Sequence, residues 1–163
     1  MILRRPNPRF AFGHPAHTIA LGFGVGMAPI APGTAGTLLA FPIWWGLAPL
    51  LPTPSLLGLI AALFALGIWA CELTGRHLGV HDHGAMVWDE VVAFLLVLTV
   101  VPDRPSWQIA AFFLFRVFDV VKPPPIRDFE RRFHGGFGVM FDDILAAGYT
   151  LLVLAFAKKF LFS

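Results

Sequence analysis

The stretch His81-Asp82-His83-Gly84-Ala85-Met86-Val87-Trp88-Asp89-Glu90 decides how the chain is read. It puts three of the ten acidic residues into ten positions, between two strongly apolar runs. A buried, unpaired charge is costly, so an ordinary core helix does not carry such a cluster. The group must bind something. Carboxylate oxygens without cysteine favour a hard divalent cation, and a cation at such a place draws a phosphate.

Outward from this stretch the chain is apolar. Of its 163 residues 57% are hydrophobic and 13% are charged, and mean hydropathy is +0.74. So few charges do not cover the surface of a domain this size in water. The composition therefore predicts a single integral-membrane domain over 1–163. The rival, an unusually apolar soluble helical protein, draws on runs that are short against the ~20 residues a bilayer requires. These runs fall at about 38–51, 55–71, 86–101, 106–121 and 144–162. Pro52 and Pro54 separate the first two, and Pro102-Asp103-Arg104-Pro105 the third and fourth, so neighbouring helices should be antiparallel. The expected fold class is all-α: a compact membrane bundle of four to five apolar helices with a polar pocket at its cytoplasmic face.

No cleavable signal is evident, because Arg4, Arg5, Pro6 and Pro8 stand where an apolar signal core would begin. Cys71 is the single cysteine, which excludes an internal disulfide and a Cys-rich zinc site. The net charge of +2 comes without a dense basic patch, so nothing points to nucleic acid. With Arg4, Arg5 and Arg9 on the cytoplasmic side, five spans place 1–37, 72–85 and 122–143 there too. The polar segments then converge on one membrane face. Five spans leave Lys158 and Lys159 outside; four spans plus one surface helix is the competing arrangement.

Three more segments carry polar chemistry. Gly22 to Thr37 is too rich in Gly and Pro for a regular helix. Within it, Gly33-Thr34-Ala35-Gly36-Thr37 opens onto an apolar run, either as an anion-holding turn with the Thr34 and Thr37 hydroxyls or as a tightly packed capped loop. Arg116, Asp119 and Lys122, spaced i, i+3, i+6 and stopped by Pro123, form one helix stripe: a polar pocket wall or an ion-pair ladder. Asp142 and Asp143 stand immediately before the last apolar run, where one carboxylate would suffice as a cap. Between them, Arg127 to Arg132 reads as a surface helix facing solvent or lipid headgroups. Asp89 and Glu90 lie about one turn inside the third run, a depth at which an ionisable group needs a partner.

Asp82, Asp89, Glu90, Asp119, Asp142 and Asp143 thus give six carboxylates on one face, with Arg116, Lys122 and Arg127 as cations for an anionic substrate. The oxygens favour Mg²⁺, Mn²⁺ or Ca²⁺; His77, His81 and His83, close in sequence, leave zinc open. The pattern describes an enzyme acting on lipid phosphate. Its non-enzymatic rival is a small cation transporter or metal-binding membrane protein, whose carboxylates belong along a path near mid-membrane.

Four blocks resemble the phosphatidylglycerophosphatase A family: Pro29 to Thr37; Gly79 to Gly84 with Val87 to Glu90; Phe115 to Asp119 with Lys122-Pro123 and Pro125 to Arg127; and His134 to Gly136 with Asp142 to Ile144. Together they span about 18–146, and Thr37 stands where the family is expected to have serine. The resemblance implies Mg²⁺-dependent hydrolysis of phosphatidylglycerol phosphate to phosphatidylglycerol and inorganic phosphate, by a multi-pass protein of the bacterial inner membrane whose site faces the cytoplasm. It implies a lipid substrate and leaves a homo-oligomer open. In this reading Asp82, Asp89, Glu90, Asp142 and Asp143 hold the metal. Arg116, Lys122, Arg127, Thr34 and Thr37 hold the phosphate. Asp89 and Asp119 serve the reaction, Asp119 completing the metal shell or orienting the water, and His81 or His83 protonates the leaving oxygen. An aspartyl-phosphate intermediate is the variant chemistry.

Overall fold

The computed structural model describes residues 5–161; the basic residue Arg4 lies outside them. Two short helices come first, α1 (Pro8–Phe12) and α2 (Pro15–Ala20). Each has proline in its first turn and a side-chain cap: Asn7 Oδ1 accepts from the Phe10 N–H at 2.9 Å, and His14 Nδ1 from the Ala16 N–H at 3.1 Å. A kinked 3₁₀ segment, Gly22–Met27, follows. The bundle proper is α3 (Pro32–Leu47), α4 (Thr53–Leu78), α5 (Trp88–Val100), α6 (Pro105–Val121) and α8 (Gly135–Leu161), with the short α7 (Ile126–Arg132) leading into α8. There is no strand among the described residues.

The core is built around α5. Its sequence is apolar all round, which is the pattern of a helix buried on every side. Val91 to Leu95, Val97 and Leu98 are all buried, and α3, α4, α6 and α8 pack about them. Phe94 sits at the centre of an aromatic group with Phe41, Phe112 and Phe115. Many large apolar side chains point outward, among them Ile109, Phe113, Val117 and Val120 of α6 and Leu152, Phe156 and Phe160 of α8. Two helices, α4 with 26 residues and α8 with 27, are long and apolar enough to cross a membrane. The other three bundle helices have 16, 13 and 17 residues.

Three boundaries depart from the sequence reading. The fourth helix runs two turns past 71, to Leu78, and stops at Gly79, whose φ of 75° gives the left-handed close of a helix. The last helix begins at Gly135, nine residues before 144. Its opening Gly135-Gly136-Phe137-Gly138 looks like a loop but packs against α4 so closely that a Cβ on Gly136 would stand 2.7 Å from the Glu72 nitrogen. Glycine is required there by the approach of two backbones, and Glu72 Oε2 caps the new helix by accepting from the Gly136 N–H at 2.8 Å. Asp142 and Asp143 are therefore not caps; they lie about two turns inside α8. Finally, Gly33 to Thr37 is not a loop but the first turns of α3.

The starts of α3, α5 and α8 and the ends of α4 and α6 gather at one end of the bundle, as the contacts Gly33–Glu90, Glu72–Gly136 and Lys122–Asp142 require. The N-terminal arm is fastened to the same end: His17 Nε2 lies 2.8 Å from His77 Nδ1 of α4, with Phe10 stacked on the His17 ring.

Candidate active site

Asp89 and Glu90 occupy the first turn of α5, not a position one turn inside it. There the free backbone amides and the helix dipole favour negative charge. Asp143 reaches the same point from α8. One oxygen from each of Asp89, Glu90 and Asp143 lies within 4.8 Å of the other two. Asp89 is 7% exposed and Asp143 3% exposed, yet Asp89 Oδ1, Glu90 Oε2 and Asp143 Oδ2 have no hydrogen-bond partner. Three buried carboxylates with unpaired oxygens repel one another unless a cation or protons sit among them, and a bound cation lets all three stay ionised. An all-oxygen donor set of this size suits a hard divalent ion.

Cations stand on the opposite wall. Arg116 pairs with Asp119 one turn on, and its Nη1 lies 3.9 Å from Glu90 Oε1. Asp119 in turn faces Asp143. The Arg116 Nε–H is buried and unsatisfied, a donor left over in a site short of acceptors. Gly33 makes this wall fit: a Cβ there would lie 2.5 Å from Glu90 Oε1 and 3.1 Å from both terminal nitrogens of Arg116.

Lys122 does not continue the helical stripe. It closes α6 with φ 47°, in the left-handed region, its N–H donating to the Phe118 carbonyl at 2.9 Å. Its Nζ donates to Glu130 Oε1 at 2.8 Å and lies 3.6 Å from Asp142 Oδ2. Burial alone would lower the pKa of this amine, but Glu130, Asp142 and Asp143 outweigh it and raise its pKa above the ordinary lysine value. An isolated Arg116–Asp119–Lys122 ladder is thereby replaced by a network that spans α6, α7 and α8.

The remaining expected residues divide. Asp82 and His81 lie exposed on the loop between α4 and α5. His81 meets His134 edge to face, with ring centroids 5.8 Å apart. His83 Nδ1 accepts from the Ala85 N–H at 3.1 Å. Thr34 sits half-buried beside Gly33. Thr37 is fully buried and donates to the Gly33 carbonyl at 2.9 Å, a bond internal to α3. Arg127 is exposed and donates to the Val121 carbonyl at 3.3 Å, outside the carboxylate group. His77, His81 and His83 do not gather: the first joins His17, the second His134, and the third caps its own loop. Among the described residues, no histidine joins a group of three metal-ligating side chains, so the zinc reading loses its ligand set.

Sequence reasoning named Gly33 only as part of an anion-holding turn, and it passed over Glu72 and gave Glu130 no place in the site. Nothing local marks them: each acts on a partner from another segment, and Glu130 looked like one more charge on a solvated face.

Residues 18–158 match the sequence model of the family described as phosphatidylglycerophosphatase A. The chain is 42% identical over 150 residues to the phosphatidylglycerophosphatase A of Escherichia coli K12, covering 91% of this chain and 86% of that one. It is 43% identical over 156 residues to the Haemophilus influenzae protein of the same name, covering 94% and 95%. A Bacteroides thetaiotaomicron protein provisionally named a phosphatidylinositol-3-phosphatase is 47% identical over 147 residues, covering 86% and 91%. No solved structure matches the chain. The family match takes in all of the buried carboxylates and the cations that face them, and by it the chain belongs to the phosphatidylglycerophosphatase A family of phosphatases.

Proposed function

We propose that the chain removes the terminal phosphate of phosphatidylglycerol phosphate, leaving phosphatidylglycerol and inorganic phosphate, with Mg²⁺ as cofactor. The observation that carries this reading is the set of unpaired buried oxygens on Asp89, Glu90 and Asp143 opposite the unsatisfied Arg116 Nε–H. Those three carboxylates would hold the ion, with buried Asp142, whose Oδ1 is also unpaired, and the exposed Asp82 as further oxygen donors. When bound, it supplies charge neutralisation and a water of lowered pKa.

The chain's own groups do the rest. Arg116, steadied by Asp119, offers its Nε–H to an equatorial phosphate oxygen, and Lys122 adds a second positive charge at the rim. The bond that breaks joins phosphorus to the glycerol oxygen, and that oxygen needs a proton. Exposed His81 is one source. His83 is the other: with Nδ1 accepting a backbone N–H, its neutral ring carries the proton on Nε2.

The setting proposed is a bacterial inner membrane crossed several times, with the cluster facing the cytoplasm. The two long apolar helices and the outward apolar side chains support the membrane. The end that carries the cluster also carries Arg76, Arg127, Arg131 and Arg132, the sign expected of a cytoplasmic face. The carboxylates lie within about two turns of the helix ends and not along a mid-membrane path, which disfavours the transporter reading.

The Bacteroides relative supports a second substrate, phosphatidylinositol 3-phosphate. The test is phosphate release by the purified full chain from each lipid, with chelator and with Mg²⁺ restored. Release from phosphatidylglycerol phosphate that stops with chelator and returns with Mg²⁺ is expected. Faster release from the inositol lipid would transfer the assignment to it. No release from either lipid, with cation flux in liposomes, would overturn both.

A further inference from the structure

The helix α7 is held against the first two turns of α8 by a closed ring of four phenylalanines. Ring centroids are 5.6 Å apart for Phe129–Phe133, 5.8 Å for Phe133–Phe137, 5.3 Å for Phe137–Phe141 and 5.6 Å for Phe141–Phe129. This fixes α7 at the level where α8 begins, beside the end of the bundle that carries the site. On its outer side lies a groove of ≈ 450 Å³ lined by Pro125, Asp128, Phe129, Arg131 and Arg132.

The charges of this groove are uncommitted. Arg76 is paired with Glu72, Arg116 with Asp119 and Lys122 with Glu130. Arg131 and Arg132 are exposed, and neither makes an ion pair with a described residue. Beside them Phe133 is 43% exposed and Phe137 39% exposed. Two free guanidiniums above bare aromatic rings, at the start of a long apolar helix, match the layering of a leaflet, with phosphates above acyl chains.

We propose that this groove binds the headgroup of an anionic phospholipid from the surrounding leaflet. The lipid phosphate sits between Arg131 and Arg132, its glycerol lies on Phe129 and Pro125, and Asp128 accepts a headgroup hydroxyl or ammonium. None of the five lining residues belongs to the buried carboxylate group, so this is a second lipid site. It has a mechanical link to the first: Glu130, on the same helix, holds Lys122 at 2.8 Å. A lipid in the groove steadies the helix that places Lys122.

The test uses the full chain in vesicles of phosphatidylcholine alone or with added phosphatidylglycerol, and follows amide hydrogen exchange over 126–133. Slower exchange with phosphatidylglycerol is expected, and the Arg131→Gln/Arg132→Gln double variant should lose the difference. Each arginine near an anionic surface contributes about a fivefold gain in association, so the pair accounts for about 25-fold. Equal exchange in both vesicles, or slowing that survives in the double variant, overturns the proposal. Slowing that follows protein density and not lipid charge also overturns it, in favour of contact between copies of the chain. Phosphate release is measured in the same samples. In the wild type given phosphatidylglycerol phosphate, absent release with the exchange difference intact counts against the catalytic reading alone, and release without any exchange difference counts against the groove alone.

Discussion

Replacing Gly33 by alanine should leave the fold intact and cripple the site. Gly33 is the second residue of α3 and has ordinary helical geometry, so the added methyl favours the helix by less than the ~1 kcal/mol that separates alanine from glycine in a helix interior. The methyl would, however, arrive 2.5 Å from Glu90 Oε1, where ordinary contact begins at 3.4 Å, so that oxygen must retreat by about 0.9 Å. It must also loosen from Arg116, whose nitrogens would be 3.1 Å from the new carbon. Side-chain ends yield cheaply, so the stability change should stay within about 1 kcal/mol. Catalytic geometry does not yield cheaply: a misplacement near 1 Å costs about a hundredfold in turnover. The assay is inorganic phosphate release from phosphatidylglycerol phosphate in vesicles, alongside helix content and thermal unfolding. Gly58→Ala is the control, since nothing lies within 4 Å of the methyl it would add. Full activity in Gly33→Ala would show that Glu90 and Arg116 do not need their observed places, and would refute the assignment of the site.

Asp89→Asn should lower phosphate release by at least about a hundredfold. The same change removes one of three crowded charges, so in chelator the variant should melt higher than the wild type; a lower melting temperature would contradict the crowding. Glu130→Gln weakens the charge-assisted bond to Lys122, and KM should rise about tenfold with a smaller change in kcat. Because the folded-state pKa of Lys122 is raised, its stabilising contribution is complete below about pH 10.4, the ordinary lysine value, and is lost as pH climbs through the higher folded value. The difference in melting temperature between wild type and Lys122→Met should therefore stay flat across neutral pH and shrink only in strong alkali.

The helical class and the gathering of acidic side chains from separate segments could be read from residue types. Asp89, Glu90 and Asp143 do meet, because carboxylates set in apolar sequence have few tolerable places to go. Arg116 and Asp119 do pair, because three residues along a helix is contact distance. What escaped reading depends on contacts between segments. The start of α8 was hidden because four residues with three glycines look like a loop until α4 passes against them. The hydroxyl of Thr37 looked free for an anion, but inside a helix it bonds back to the carbonyl four residues earlier. The histidines near 80 looked like one group, and each has instead a partner from elsewhere in the chain or a turn of its own.

The unequal helix lengths have a consequence for the bilayer. At 16, 13 and 17 residues, α3, α5 and α6 rise about 24, 20 and 26 Å, against hydrocarbon about 30 Å thick. Only α4 and α8, with 26 and 27 residues and lengths of about 39 and 41 Å, are long enough to span it. In the membrane setting proposed above, lipid bordering α3 and α6 would be pinched to fit, and its headgroups would ride lower there than in the undisturbed sheet. Such a dimple would carry a phosphate part of the way down towards Asp143 before any residue had touched it.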